Sequence, residues 1–152
     1  MKMSVGFLAL VAMTLLFGSA DVEGRALELT YEVMANYLNK QNVFLCFYMP
    51  LCPACKGISK QWNEFADKIH ATRNDVKIMS LNVDLFEGFS KGYNIRTVPQ
   101  FMLFRKSDYD IHVNYTKEER TIEAWTEWLD EELKRPLEDY DTGLDIDLKE
   151  DL

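Results

Sequence analysis

The sequence predicts an α/β fold with a mixed sheet, and three observations carry that expectation. Helix-like and strand-like hydrophobic patterns alternate through the first part of the middle of the chain. One strand-length segment, Val43 to Tyr48, is apolar throughout, as for a strand covered on both faces. The order then changes: two strand-like segments around a short polar stretch precede a last helical stripe, which fits an antiparallel hairpin joined to parallel strands.

Each element has its own local reason. Leu27 to Thr30 reads as a short strand, and Thr30 offers a hydroxyl N-cap to a helix carrying Val33, Met34, Tyr37 and Leu38 on one face. After the apolar strand, a helix is expected from the Cys52 region, because Ile58, Trp62, Phe65 and Ile69 recur at spacings of four, three and four. Val76 to Val83 is apolar at strand length, and Phe86 to Tyr93 reads as a short helix or turn. Gln100 to Phe104 and Ile111 to Tyr115 form the two arms of the hairpin, with Lys106-Ser107-Asp108 as its turn. The last helix is expected from Lys117 to Leu133, with Ile122, Trp125, Leu129 and Leu133 on its apolar face.

The chain has 152 residues and a net charge of −8, which suits one domain. That charge is unevenly spread: residues 1–20 carry +1, residues 136–152 carry −6 and the 115 residues between them carry −3. A nearly balanced middle without a cluster of Lys or Arg argues against nucleic acid and against an anionic membrane surface as partners.

The two ends read as targeting signals. Lys2, the apolar run Gly6 to Phe17 and the small residues Gly18-Ser19-Ala20 make up the three parts of a secretory signal peptide, residues 1–20, with cleavage expected after Ala20. The run of 12 residues is short for a membrane span, so no transmembrane segment is expected after cleavage. Residues 136–152 are rich in Asp and Glu with scattered Leu and Ile, and are expected to form a flexible acidic tail. It finishes on Lys149-Glu150-Asp151-Leu152, which resembles the Lys-Asp-Glu-Leu retention signal with its acids exchanged. A retention receptor is therefore an expected partner, and the lumen of the endoplasmic reticulum the expected location. Asn114-Tyr115-Thr116 is an N-glycosylation acceptor sequence, compatible with that compartment.

The three cysteines are Cys46, Cys52 and Cys55. Cys52-Pro53-Ala54-Cys55 lies where the buried strand hands over to a helix, so the first sulfur meets unpaired N–H groups and the positive end of the helix dipole, both of which favour a thiolate. Pro53 suits a first helical turn because it has no N–H to leave unpaired there. A spacing of two residues lets a dithiol and a disulfide interconvert. Other readings of the pair are a structural disulfide, which so short a loop stabilises little, a pair of inert core thiols, and a zinc site. The last would need two more ligands, and only Cys46, His70 and His112 are available, none at matching spacing. No metal or other cofactor is expected. Cys46, within Phe44-Leu45-Cys46-Phe47, reads as a small buried hydrophobe, with intermolecular pairing as the alternative.

Taken in order, these residues resemble a thioredoxin-fold domain of the protein disulfide isomerase family over nearly all of residues 25–133. Phe47-Tyr48-Met49-Pro50-Leu51-Cys52-Pro53-Ala54-Cys55-Lys56 is similar to the family's strand and active-site turn, Val83-Asp84 to the end of its third strand, and Tyr93-Asn94-Ile95-Arg96-Thr97-Val98-Pro99 to the segment leading to its cis-proline. Arg120, nine residues before Leu129, matches an arginine that isomerase domains carry after the last strand. The resemblance implies a thioredoxin-like domain over residues 21–135, a central mixed sheet flanked by helices, and thiol–disulfide exchange on cysteine-containing client proteins. It implies Cys52 as the attacking thiolate and Cys55 as the resolving thiol, together forming the redox-active disulfide. It further implies a cis Pro99 facing them, a Val98 backbone that binds extended substrate, and an Arg120 that stabilises the Cys55 thiolate.

The departures are informative. Family members usually carry Trp before the first cysteine and Gly-His between the two; here those places hold Leu51 and Pro53-Ala54, so the helix terminus must supply most of the thiolate's stabilisation. Where the family buries a Glu and a Lys, this chain aligns Cys46 and Asn82, and losing both partners leaves no uncompensated charge. Without a carboxylate at that place, exchange through Cys55 is expected to be slower and to lean on Arg120 or water. The rival to an enzyme is a non-enzymatic client-binding or adaptor module of the secretory pathway.

Overall fold

The structure, a computed structural model, describes residues 26–38, 40–106 and 111–140. The expected signal peptide, the retention tetrapeptide and Ser107-Asp108 of the hairpin turn lie outside them.

Central to the fold is β2 (Asn42–Tyr48), whose inner positions are all buried. It pairs in parallel with β3 (Val76–Asn82) on one side and antiparallel with β4 (Gln100–Phe104) on the other, which accounts for an apolar run without polar alternation. The short β1 (Leu27–Glu28) adds in parallel to β3, and β5 (His112–Asn114) adds antiparallel to β4. The described sheet therefore runs β1-β3-β2-β4-β5.

Alternating side chains divide the interior in two. Phe44 and Cys46 of β2, Ile78 of β3 and Phe101 and Leu103 of β4 face α2 (Pro53–Thr72) and α4 (Ile122–Lys134), where Trp62, Phe65, Trp125 and Trp128 complete an aromatic core. Trp62 meets Trp125 edge-on at 5.1 Å and Phe44 at 5.3 Å between ring centroids, in the T-shaped arrangement that suits opposed quadrupoles. Val43, Leu45, Phe47, Met79 and Met102 face the other way, toward α1 (Tyr31–Tyr37) and α3 (Glu87–Gly92). Thr30 caps α1 as expected, its Oγ1 accepting the Val33 N–H at 3.3 Å.

Two boundaries differ from the sequence reading. The last helix begins at Ile122, not near Lys117. Thr121 caps it by accepting the Ala124 N–H at 3.2 Å, while the Tyr115 hydroxyl donates to the Glu119 carbonyl and holds the preceding residues in a non-helical path. The described residues also continue past residue 135, the expected end of the domain. Leu137–Asp139 form a 3-10 turn that brings Tyr140 between two guanidinium groups, 5.2 Å from Arg105 and 4.8 Å from Arg135. Arg105, buried at the end of β4, donates to the Tyr140 hydroxyl at 2.7 Å and to the Glu132 carbonyl in the last turn of α4, which also accepts the Arg135 N–H at 3.2 Å. No helix among the described residues is long and apolar enough to cross a membrane.

Candidate active site

The β2 strand ends at Tyr48, and after a tight turn in which the Cys52 N–H donates to the Met49 carbonyl at 3.1 Å, helix α2 starts at Pro53. Cys52 is the N-cap. Its Sγ occupies the place that a serine or aspartate oxygen usually takes, accepting the Cys55 N–H at 3.2 Å. Pro53 begins the first turn, so no donor is wasted there. The cysteine spacing thus presents one half-exposed sulfur at the helix terminus and one buried sulfur a turn further in.

The two sulfurs are held in opposite states. Cys52 is pushed below the ordinary thiol value of 9.0, chiefly by a hydrogen bond from the Cys55 thiol and then by the Cys55 N–H; the Ala54 N–H and Arg120 add to this against the cost of burial. Cys55 is pushed above 9.0, first by burial and then by that same bond, which favours its protonated form. Cys46 is driven further up, by near-complete burial and by repulsion from Cys55. All three are free thiols. Only Cys52 combines access with a depressed pKa, the combination a nucleophilic thiol requires.

Facing the pair is the segment before β4. The Val98–Pro99 peptide is cis, Pro99 is buried, and the Cys52 thiol donates to the Val98 carbonyl at 3.7 Å. Leu51, beside the nucleophile, is 83% exposed. Arg120 is exposed and lies before α4, not within it; its charge lowers the pKa of Cys52 and of Cys46, whereas the causes acting on Cys55 are burial, Cys52 and backbone bonds.

Beneath Cys55, a cavity of about 280 Å³ is lined by Cys46, Tyr48, Trp62, Ser80 and Glu28 among others. Glu28 is a site residue that the sequence reading missed. It stands between Leu27 and Leu29 in a two-residue strand whose pairing partner is more than fifty positions away, and an acid inside so short an apolar segment is the one local sign of it.

The remaining candidates lie elsewhere in the fold. His70 Nε2 accepts the Ile78 N–H at 2.9 Å, and burial lowers its pKa below 6.5. His112 meets the Tyr93 ring edge-on at 5.0 Å. Among the described residues no three His, Cys, Asp or Glu side chains gather as a metal site. Asn114 is exposed on β5, its Oδ1 accepting from Gln100 Nε2 at 3.0 Å.

Comparison with known proteins agrees with this fold. The sequence profile of the family described as Thioredoxin matches residues 26–129, most of the chain. The chain belongs to the thioredoxin family. Among curated relatives of this thioredoxin-family chain, a Thioredoxin domain-containing protein 5 homolog of Drosophila melanogaster is 26% identical over 73% of the chain and 26% of its own length. Protein disulfide-isomerase 1 of Caenorhabditis elegans is 26% identical over 69% of the chain and 22% of its length. The Probable protein disulfide-isomerase ER-60 of Schistosoma mansoni is 29% identical over 59% and 19%. The chain thus spans about a quarter or less of these relatives. Among solved structures, the J-Trx1 fragment of ERdj5 superposes with a TM-score of 0.63 at 19% identity, covering 74% of this chain and 54% of that one. The first thioredoxin domain of mouse Protein disulfide-isomerase A4 gives 0.62 at 19%, covering 83% and 91%. These two share the fold.

Proposed function

We propose that this chain is a thiol–disulfide oxidoreductase or isomerase that acts on protein cysteines in the lumen of the endoplasmic reticulum through Cys52 and Cys55. The observation that carries the reading is the opposed state of the two sulfurs: an accessible one with its pKa lowered and a buried one with its pKa raised, at one helix terminus. The first attacks and the second waits.

In the reductive direction, the Cys52 thiolate attacks one sulfur of a client disulfide. A Cys52–client bond forms, the client bond breaks, and the other client sulfur leaves as a thiolate. Cys55 then loses its proton and attacks Cys52 Sγ. The Cys52–Cys55 bond forms, the second client sulfur leaves with its electron pair, and the client has gained two electrons that the pair has lost. An oxidised pair runs the same steps in reverse, and an incomplete pass between two client cysteines isomerises. Leu51 offers an apolar surface beside the attacking sulfur, and Val98 offers its backbone to an extended client segment.

Support for the compartment comes from the sequence: the signal-like residues 1–20 and the terminal Lys149-Glu150-Asp151-Leu152, which a retention receptor would read.

Trapping in cells tests the reading. Cys55→Ala is expected to accumulate mixed disulfides with client proteins, because nothing resolves them, and Cys52→Ala is expected to form none. Equal trapping by the two variants, or none by either, would overturn the enzyme in favour of a client-binding module.

A further inference from the structure

The resolving step needs a proton acceptor. Cys55 must become a thiolate before it attacks Cys52, yet burial holds it protonated above the ordinary thiol value. The cavity beneath it is the route by which that proton can leave, and its lining restricts where the proton can go.

Ala26, Ile58 and Trp62 offer no acceptor side chain, while Ser59, Asn63 and Ser80 are too weakly basic to take up a proton near neutrality. Cys46 is itself held protonated by burial, and Tyr48 is pushed up to about 12, so both remain neutral. Glu28 is the one group of that lining that is both charged at neutral pH and able to take a proton.

Strand register puts Glu28 in a particular place. Glu28 of β1 pairs with Ser80 of β3, and Ser80 pairs with Cys46 of β2, so the three form one row across the sheet. Paired residues of neighbouring strands point to the same face, and Glu28 is two strands from Cys46, roughly 10 Å away at the usual strand spacing. Tyr48 lies on that face two residues beyond Cys46 and closes over the gap, its hydroxyl donating to Glu28 Oε1 at 3.1 Å. The carboxylate is thereby aimed and remains exposed at the cavity's rim. At about 280 Å³ the cavity has room for several waters between the rim and the sulfur.

We propose that Glu28 is the proton acceptor for Cys55, reached through water in this cavity, so that the carboxylate missing from the Cys46 position is supplied instead from the edge strand two strands away. The inference rests on the proposed exchange reaction. In the resolving step the Cys55 proton passes to water and from water to Glu28; the Cys55 thiolate bonds to Cys52 Sγ, and the client sulfur leaves with the electron pair of the broken bond. In the reverse direction Glu28 returns the proton as Cys55 is expelled. Among the described residues, the groups facing Glu28 are the Tyr48 hydroxyl, the Asn82 backbone amide and, across Ser80, the Cys46 thiol, with no charged side chain from α2 in the lining. Burial raises the Glu28 pKa above 4.5, and the Tyr48 and Asn82 bonds draw it part of the way back.

The test separates the two chemical steps. The reduced full chain is mixed with oxidised glutathione, quenched with acid at successive times, and the glutathionylated and internally oxidised forms are counted by mass. In Glu28→Gln the attack by Cys52 is expected within about twofold of wild type, while decay of the Cys52–glutathione disulfide slows by about a hundredfold, the low end for loss of a positioned acid–base group because the contact runs through water. The pH profile of that decay is expected to lose its carboxylate limb, and Glu28→Asp to recover most of the rate. Decay at the wild-type rate in Glu28→Gln, or equal slowing of attack and decay with an unchanged pH profile, would overturn the assignment. A wild-type chain that forms no glutathione adduct at Cys52 would instead overturn the exchange reaction itself.

Discussion

The two ends of α2, a helix of 20 residues, treat their polar groups in opposite ways. At the C-terminal end the bonds are closed. His70 accepts the Ile78 N–H, the Arg73 N–H donates to the Ile69 carbonyl, and the Arg73 guanidinium forks onto both oxygens of Asp75 while reaching Asp130 of α4 at 2.6 Å. At the N-terminal end the cap is a sulfur, a weak acceptor, and the dipole's positive end is spent on lowering its pKa. One end fixes the helix against the sheet and the neighbouring helix; the other leaves a group poised to react. Stability and reactivity are thereby assigned to places about 30 Å apart along one rigid element.

Removing the nucleophile breaks the comparison at its reactive end and has the largest expected effect. Cys52→Ser should reduce client-disulfide exchange by at least about a thousandfold, as removal of nucleophiles does elsewhere, and leave thermal unfolding nearly unchanged because an oxygen cap replaces a sulfur one. In the wild type, iodoacetamide should modify Cys52 with a midpoint below pH 9.0, while Cys55 and Cys46 stay unmodified at that pH. Equal labelling of Cys52 and Cys55 would erase the asymmetry on which the exchange reaction rests.

At the other end the signs reverse. Arg73→Ala should destabilise the fold by about 1–2 kcal/mol, a value discounted because Asp75 and Asp130 are each about half exposed, and should leave exchange unaffected. Urea unfolding measured beside turnover checks both halves. A loss of exchange at unchanged stability would mean that the two ends are coupled through the helix.

The pH dependence of stability sharpens the same contrast. His70 is lowered from 6.5 in the folded state, so the unfolded chain binds its proton first; its contribution is intact above pH 6.5 and is lost as pH falls through the lower folded value. Protonation also costs the acceptor that Ile78 uses. His70→Gln keeps an acceptor without the titration, so its unfolding free energy should fall less steeply below pH 6.5 than that of wild type.

What was legible in the sequence follows the range of the forces involved. Strand β2, the Trp62 and Phe65 stripe of α2 and the cap at Thr30 are written in adjacent residues, by periodicity and by hydroxyl spacing, and they appear where that pattern puts them. The start of α4 was misplaced because Glu118 to Arg120 have good helix propensity, and what stops the helix is the hydroxyl of Thr121 together with a tertiary bond from Tyr115. Tyr140 looked like part of a solvated tail because its partners, Arg105 and Glu132, come from elsewhere in the chain. Glu28 was hidden for the same reason. Its neighbours Tyr48, Ser80 and Cys46 come together only when three strands pair, and the one local sign, an acid between Leu27 and Leu29, does not say which groups it will meet.

Arg120 gives the smallest expected effect and the finest test of how far the reactive end depends on anything beyond its own helix. It is exposed, it precedes α4, and its charge is the last of the causes that lower Cys52. A charge in that setting acts through water and is screened within about 8 Å at physiological salt. Arg120→Gln should therefore move the iodoacetamide midpoint of Cys52 upward and reduce exchange at pH 7 by less than about fivefold, the size expected of an exposed charge. Raising the salt to 1 M should bring wild type and variant together, because the helix N–H groups act by contact and are not screened as a distant charge is. A larger loss that persists in high salt would mean that Arg120 moves inward during exchange and meets a sulfur directly, and the N-terminus of α2 would then no longer account for the thiolate by itself.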